Sequence, residues 1–228
     1  MLGQLKWQAG AWGGGQEGKV YGLPVLRAAA DPEGAFAPLR LRRAGRILRR
    51  GGVRRVLTPD GFSHWSTLSA LGLAPVSPEP LLRFKAADLA LTALERMDLD
   101  PERAAVALRG ERVDRDMTRA ALILCPRVRR LIISARSGGD ELALMLRREY
   151  GVPVLPPEEA GTLSLRFSPR CRAPEQGLEL WGQEPELGGL ALCAPALLEE
   201  DRRALPLLTA LWQGGFLREE QVKILVIS

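Results

Sequence analysis

Two stretches of this chain repeat one pattern. Residues 53–76 read VRRVLTPDGFSHWSTLSALGLAPV, and residues 128–155 read VRRLIISARSGGDELALMLRREYGVPVL. Each runs through a short apolar strand, a polar turn, an amphipathic helix, a glycine stop and a second short strand. A strand that returns parallel to its predecessor through a helix needs cover on its sheet. The pattern, occurring twice, predicts an α/β fold with a mainly parallel sheet and helices on both faces. The strands at 53–58, 104–108 and 128–134 are expected in one sheet.

The rest of the chain is arranged around those repeats. Residues 1–37 hold two strand-like pieces, 4–7 and 19–26, around a glycine-rich bend at Trp12-Gly13-Gly14-Gly15, and predict a hairpin or an edge extension. A first α/β half follows over 38–98, opening on a helix at 39–50, with a second helix at 62–71. A second half covers 99–156. Ser77-Pro78-Glu79 starts a single helix linking the halves: serine caps, proline sits where its missing N–H costs nothing, and the acid complements the helix dipole. Asp114 is expected to cap a helix at 115–124, and Ser137 the helix that stops at Gly151. Beyond Pro156-Pro157 come short strands at 162–167, 177–182 and 189–193, a helix at 197–212 and an apolar run at 222–227, expected as a buried strand. Residues 157–228 are therefore expected to form a small C-terminal α+β appendage.

Composition narrows the function classes. Hydrophobic residues make up 46% and charged residues 26%, the balance of a globular chain and not of a disordered one. No apolar run approaches the ~18 residues that span a bilayer. The start, MLGQLKWQAGAWGGG, lacks the apolar core of a signal peptide, so a cytoplasmic protein without membrane contact is expected. Cys125, Cys171 and Cys193 are scattered with no CxxC spacing, and His64 is the only histidine. Buried free thiols are expected, and no metal site. A net charge of +5 admits nucleic acid, anionic ligands or acidic partners. Almost all of it is arginine, which GC-rich coding also produces. A homo-oligomer stays open.

In doubly wound sheets ligands bind beyond the carboxyl ends of the strands. Three turns lie there if their strands are neighbours: 58–65, 109–114 and 134–140. Their rim would bring together Arg109, Arg112, Arg136, Asp60, Ser63, His64 and Glu111. Guanidinium binds planar anions in a bidentate way, so three arginines suit a phosphate or carboxylate; the competing reading is loop charges paired with Glu111, Asp114 and Asp140. His64 beside Asp60 and Ser63 suggests a general base, but adjacent positions make a poor relay and no GxSxG elbow is present, so a surface histidine is expected. The helix at 39–50 places Arg42, Arg43, Arg46, Arg49 and Arg50 on one face. Arg42, Arg46 and Arg49 could track a phosphate backbone. Aromatic residues do not interleave with them in the sequence, and a solvated face is the expected outcome.

Residues 84–155 resemble the dinucleotide-binding half of the shikimate dehydrogenase and glutamyl-tRNA reductase group, through the linker FKAADLALTALERMDLDPER, the strand AAVALRG and the later strand and turn VRRLIISARSGGDELALMLRREYG. The resemblance implies a Rossmann-like sheet, with Arg136 and Ser137 placed at the ribose 2′-phosphate of NADP. That family carries G-x-G-x-x-G after its first strand, where backbone approaches the pyrophosphate. Here the segment is Gly110-Glu111-Arg112-Val113-Asp114, with one glycine and two carboxylates. NADP is therefore expected to bind weakly or not at all. The expected function is binding of a small anionic ligand at Arg109, Arg112, Arg136, Ser137, Asp60 and His64, without a recognisable catalytic set. The alternatives are a basic nucleic-acid or protein interaction module and an NADP-dependent oxidoreductase relative.

Overall fold

A computed structural model describes residues 1–171 and 175–227. The chain divides into two compact units, the first made of Met1–Val76 and Ala204–Glu219, the second of Ser77–Arg203 and Glu220–Ser228.

The first unit contains β1 (Leu2–Trp7), β2 (Trp12–Val20), β3 (Leu23–Ala30), α1 (Ala37–Arg50), β4 (Arg55–Leu57), α2 (Trp65–Ser69) and β5 (Ala74–Pro75), joined by a helix over Leu205–Gln213. Its sheet runs β2-β3-β1-β4-β5, with only the edge strand β2 antiparallel. The apolar side of α1, with Leu41, Ala44 and Leu48, packs on Leu5, Leu26, Ala28, Ala30, Val53 and Val56. β4-α2-β5 is the first of the two repeats. Its helix is shorter than expected because Phe62 turns into this core and stacks on Trp7, with ring centroids 5.5 Å apart.

The N-terminal strands differ from expectation for local reasons. Tyr21 and Gly22 take φ values of 49° and 87°, the two positive angles of a type I′ turn, whose twist suits a two-residue hairpin. That turn splits the strand expected at 19–26. The triple glycine is no bend: it lies in β2, where the register shifts between Trp12 and Gly15. A Cβ on Gly15 would stand 2.6 Å from Ile47 Cγ2, so α1 can approach β2 only over glycine.

Asp31 ties the β1–β2 turn to α1. Its carboxylate accepts the Glu33 and Gly10 amides at 2.9 and 2.8 Å and pairs with Arg40 at 3.0 Å. Those two amides, with Arg40 adding, hold the Asp31 carboxyl below its usual value. A depressed folded pKa stabilises above the unfolded value and loses that contribution as pH falls through the folded one. Asp31→Ala is expected to lower Tm at neutral pH, and the gap to wild type should narrow as pH falls below about 4, the ordinary Asp value. Thermal melts across that range check it; a gap independent of pH would exclude the carboxylate as its cause.

The second unit contains α3 (Glu79–Phe84), α4 (Ala86–Arg96), β6 (Ala105–Arg112), α5 (Arg115–Leu124), β7 (Arg130–Ser137), α6 (Gly139–Tyr150), β8 (Val154–Leu155), β9 (Leu163–Arg166), β10 (Gly177–Glu179), β11 (Leu190–Cys193) and β12 (Lys223–Val226). Ser77 Oγ accepts the Glu79 amide at 3.3 Å, as its position before the helix predicts. The linking helix is two helices, broken at Lys85 (φ −89°, ψ 10°). β7-α6-β8 is the second repeat. The sheet runs β10-β9-β6-β7-β8 with every pair parallel, the 3-2-1-4-5 order of a Rossmann-like sheet read from β8 to β10. Residues 106–110 of β6 are buried in succession, which requires cover on both faces.

The fold class is thus α/β and mainly parallel, but the strands are distributed differently. β4 pairs with β1, so the strand at 53–58 belongs to another sheet than β6 and β7. The four segments 1–37, 38–98, 99–156 and 157–228 do not coincide with the units, since 1–37 and 38–76 share a sheet and 157–228 contributes to both units. Of that last segment, β9 and β10 extend the parallel sheet, while β11 and β12 form a two-stranded antiparallel sheet. The helix expected at 197–212 starts only at Leu205, with Pro206 in its first turn. β12 is largely exposed and not buried. Ser137 ends β7, paired with Arg112, and Gly138 caps α6 in its place at φ 79°; glycine takes that left-handed angle without a Cβ penalty. Among the described residues no helix is long and apolar enough to cross a membrane.

Candidate functional site

The second unit's sheet changes direction between β6 and β9: the chain moves from β6 outward through β7 to β8, then returns to β9 on the other side. Such a switch point opens a crevice at the strand C-termini. Residues 110–114 and 167–171 line it by position.

Arg109 does not present its guanidinium there. It is buried, with Nε donating to Glu175 Oε1 at 2.7 Å, Nη1 to the Pro157 carbonyl at 3.0 Å and Nη2 to the Glu159 carbonyl at 2.9 Å. Every donor edge is engaged, so Arg109 fastens two loops and is unavailable to a ligand. Glu175 lies 66 residues away, and no sequence pattern marks it as the partner.

The N-terminus of α5 is where a Rossmann-like sheet holds a pyrophosphate. Here the chain's own carboxylate fills that position. Asp114 Oδ1 accepts the Met117 amide at 2.8 Å, and Oδ2 lies 3.5 Å from Arg83 Nη1. β6 stays extended through Arg112, so no glycine loop curls around a phosphate. Gly110 serves packing instead, since a Cβ there would come within 2.5 Å of Met117 Cε. These residues do not fit the diphosphate of NADP.

What remains at the crevice is a charged rim. Arg112 and Ser137 stand opposite each other in the β6–β7 register, and Arg136 precedes Ser137. All three are exposed. Neither Arg112 nor Arg136 has an ion-pair partner among the described residues. Across the switch point Glu111 pairs with Arg170 at 3.0 Å. Burial pushes the Cys171 thiol up; Glu111 reinforces this, while Ser168, Arg109 and Arg136 oppose it. The thiol is therefore protonated at neutral pH and is not a poised nucleophile.

Asp60, Ser63 and His64 belong to the first unit, so the three turns do not share one rim. His64 stands exposed immediately before α2, edge-on to Phe62 and Trp7 with ring centroids 5.9 and 6.5 Å away. Arg42, Arg46 and Arg49 are exposed on α1, as the helical spacing predicts. Cys125 and Cys193 are buried free thiols and Cys171 is half-buried.

No family model matches this chain, and no curated protein matches it. Among solved structures it is similar to L-tryptophan dehydrogenase from Nostoc punctiforme, with 18% identity, a TM-score of 0.33, and coverage of 64% of this chain and 44% of that one. It is also similar to shikimate dehydrogenase from Aquifex aeolicus (11% identity, TM-score 0.27, 80% of this chain and 73% of that one). A third likeness is to shikimate dehydrogenase 1 from Peptoclostridium difficile (10% identity, TM-score 0.26, 80% and 71%). The chain thus spans less than half of the first of these. The Rossmann-like assignment rests on the strand order of the second unit.

Proposed function

We propose that this protein binds a small anionic ligand at the strand C-terminal rim of its second unit and works in the cytoplasm, where its three free thiols stay reduced. The supporting observation is the pair Arg112 and Arg136. They are exposed, sit at adjacent strand ends on opposite faces of the sheet, Arg112 on the same face as its register partner Ser137, and have no carboxylate partner among the described residues. The Arg112 guanidinium and the Ser137 hydroxyl, on one face, suit a phosphate or carboxylate group, and Arg136 adds positive potential at the same strand ends. Asp114, the cap of α5, repels a second phosphate, which sets the ligand apart from a dinucleotide.

Calorimetry and thermal shift with inorganic phosphate, glucose 6-phosphate, a dicarboxylate and NADP test this. Saturable binding of a monophosphate or dicarboxylate is expected, and at 100 times its Kd the ligand should add about 2.7 kcal/mol of stability. Arg112→Glu with Arg136→Glu should abolish it, and NADP should show no micromolar binding. Binding that survives both substitutions, or a micromolar constant for NADP, overturns the reading.

A further inference from the structure

The positive charge of the molecule lies in its first unit. That unit holds 12 Lys and Arg against 5 Asp and Glu, whereas the second holds 20 against 22. Basic residues are about equally dense in both units, so coding bias toward arginine accounts for them. It does not account for the missing acids. No Asp or Glu lies between Glu33 and Asp60, the stretch that contains α1.

The exposed arginines of α1 continue into two hollows. Arg43 borders a cleft of about 480 Å³ with Lys6, Arg27, Trp12 and the backbone of the β2 glycines. Arg42 and Arg46 border a second hollow of about 380 Å³ with Ser66 and Thr67. No carboxylate lines either one. From Arg42 to Arg50 the helix advances roughly 12 Å at about 1.5 Å per residue. One small ion cannot engage both hollows together with Arg49 and Arg50, but a chain of phosphates can.

Beside this basic face stand two exposed aromatic rings. Trp12 and Phe36 are 46% and 57% exposed, with centroids 6.0 Å apart. The Arg40 guanidinium lies 4.8 Å from the Trp12 ring centroid and is itself fixed by Asp31 and the Glu33 carbonyl. The rings are thus held in place next to a run of cations. A duplex would present only its phosphates to such a surface; unpaired bases can stack on the rings while their phosphates follow the arginines.

We infer that the first unit binds single-stranded nucleic acid, with its phosphates on Arg42, Arg43, Arg46 and Lys6 and a base stacked at Trp12 and Phe36. The sequence hides this because Trp12 lies in β2 and meets Arg40 of α1 only once the sheet has formed.

Fluorescence anisotropy of the full chain tests it, using labelled oligo-dT and oligo-U, a duplex of equal length, a polyglutamate peptide, and phosphatidylserine vesicles. Single strands are expected to bind more tightly than the other probes. Affinity should drop on the order of 50-fold from 50 to 200 mM salt for four phosphates contacted, at a slope of about 0.7 per phosphate. Trp12→Leu keeps apolar bulk without a π-face; with Phe36→Leu it should weaken single-strand binding about 10-fold or more and leave duplex binding unchanged. Replacing Arg42, Arg43 and Arg46 by glutamine should flatten the salt slope, with circular dichroism confirming the fold. Duplex, vesicle or polyglutamate binding as tight as single-strand binding, or indifference to the aromatic pair, overturns the inference. Arg112→Glu and Arg136→Glu should not affect this binding, which separates it from the rim of the second unit.

Discussion

Glu175→Leu is expected to destabilise the second unit by about 3–5 kcal/mol, the cost of leaving a buried charge without its partner. The Arg109 and Glu175 side chains are 8% and 4% exposed, and Arg109 Nη2 lies 2.6 Å from Glu175 Oε1. Two carbonyl oxygens also accept from this guanidinium, but carbonyls do not neutralise it. The double variant Arg109→Met with Glu175→Leu should recover most of the loss. Glu175 Oε2 is buried with no hydrogen-bond partner among the described residues, so the native pair already carries an uncompensated desolvation cost that the double variant removes. The carbonyls of Pro157 and Glu159 lie in an exposed loop where water can replace Arg109. Urea denaturation of the wild type, the single and the double variant decides it. A single variant within about 1 kcal/mol of wild type, or a double as unstable as the single, would mean that the pair is not a buried strut.

The pair also shows where sequence reasoning stops. In the sequence Arg109 and Arg112 are two arginines at the end of one strand, yet one is enclosed and the other open. The difference arises from Glu175 and the loop at 157–159, brought over by β9 and β10, and no periodicity within β6 contains it. Local signals read well. α5 begins and ends where Asp114 and its apolar spacing predict, and both βαβ repeats are present with parallel strands. Partner choice between strands does not follow from such signals: 53–58 is as apolar as 128–134, and its place beside β1 is decided by the core that Leu5 and Leu26 share with α1. Backbone angles were a second gap. Tyr21 at positive φ and the choice of Gly138 over Ser137 as cap depend on how far each strand stays paired.

On α1 stability and binding belong to opposite faces, and one residue from each separates them. Leu48 is fully buried among Leu5, Leu26, Val53 and Val56, and Leu48→Ala is expected to cost about 2–5 kcal/mol through lost transfer energy and the cavity left behind. α1 lacks a side-chain cap and has no acid in its first turn, so this apolar contact is its main support. Arg46 is exposed and stands three or four residues from Arg42, Arg43, Arg49 and Arg50. Like charges at those spacings each destabilise a helix by about 0.2–0.5 kcal/mol. Arg46→Gln is therefore expected to leave stability unchanged or raise it by up to about 1 kcal/mol, while weakening binding of a single strand. Chemical denaturation of both variants, with anisotropy of Arg46→Gln, measures the two effects. If Arg46→Gln instead lost more than about 1 kcal/mol, Arg46 would be a structural contact of the first unit, and the acid-free face of α1 would owe its arginines to folding.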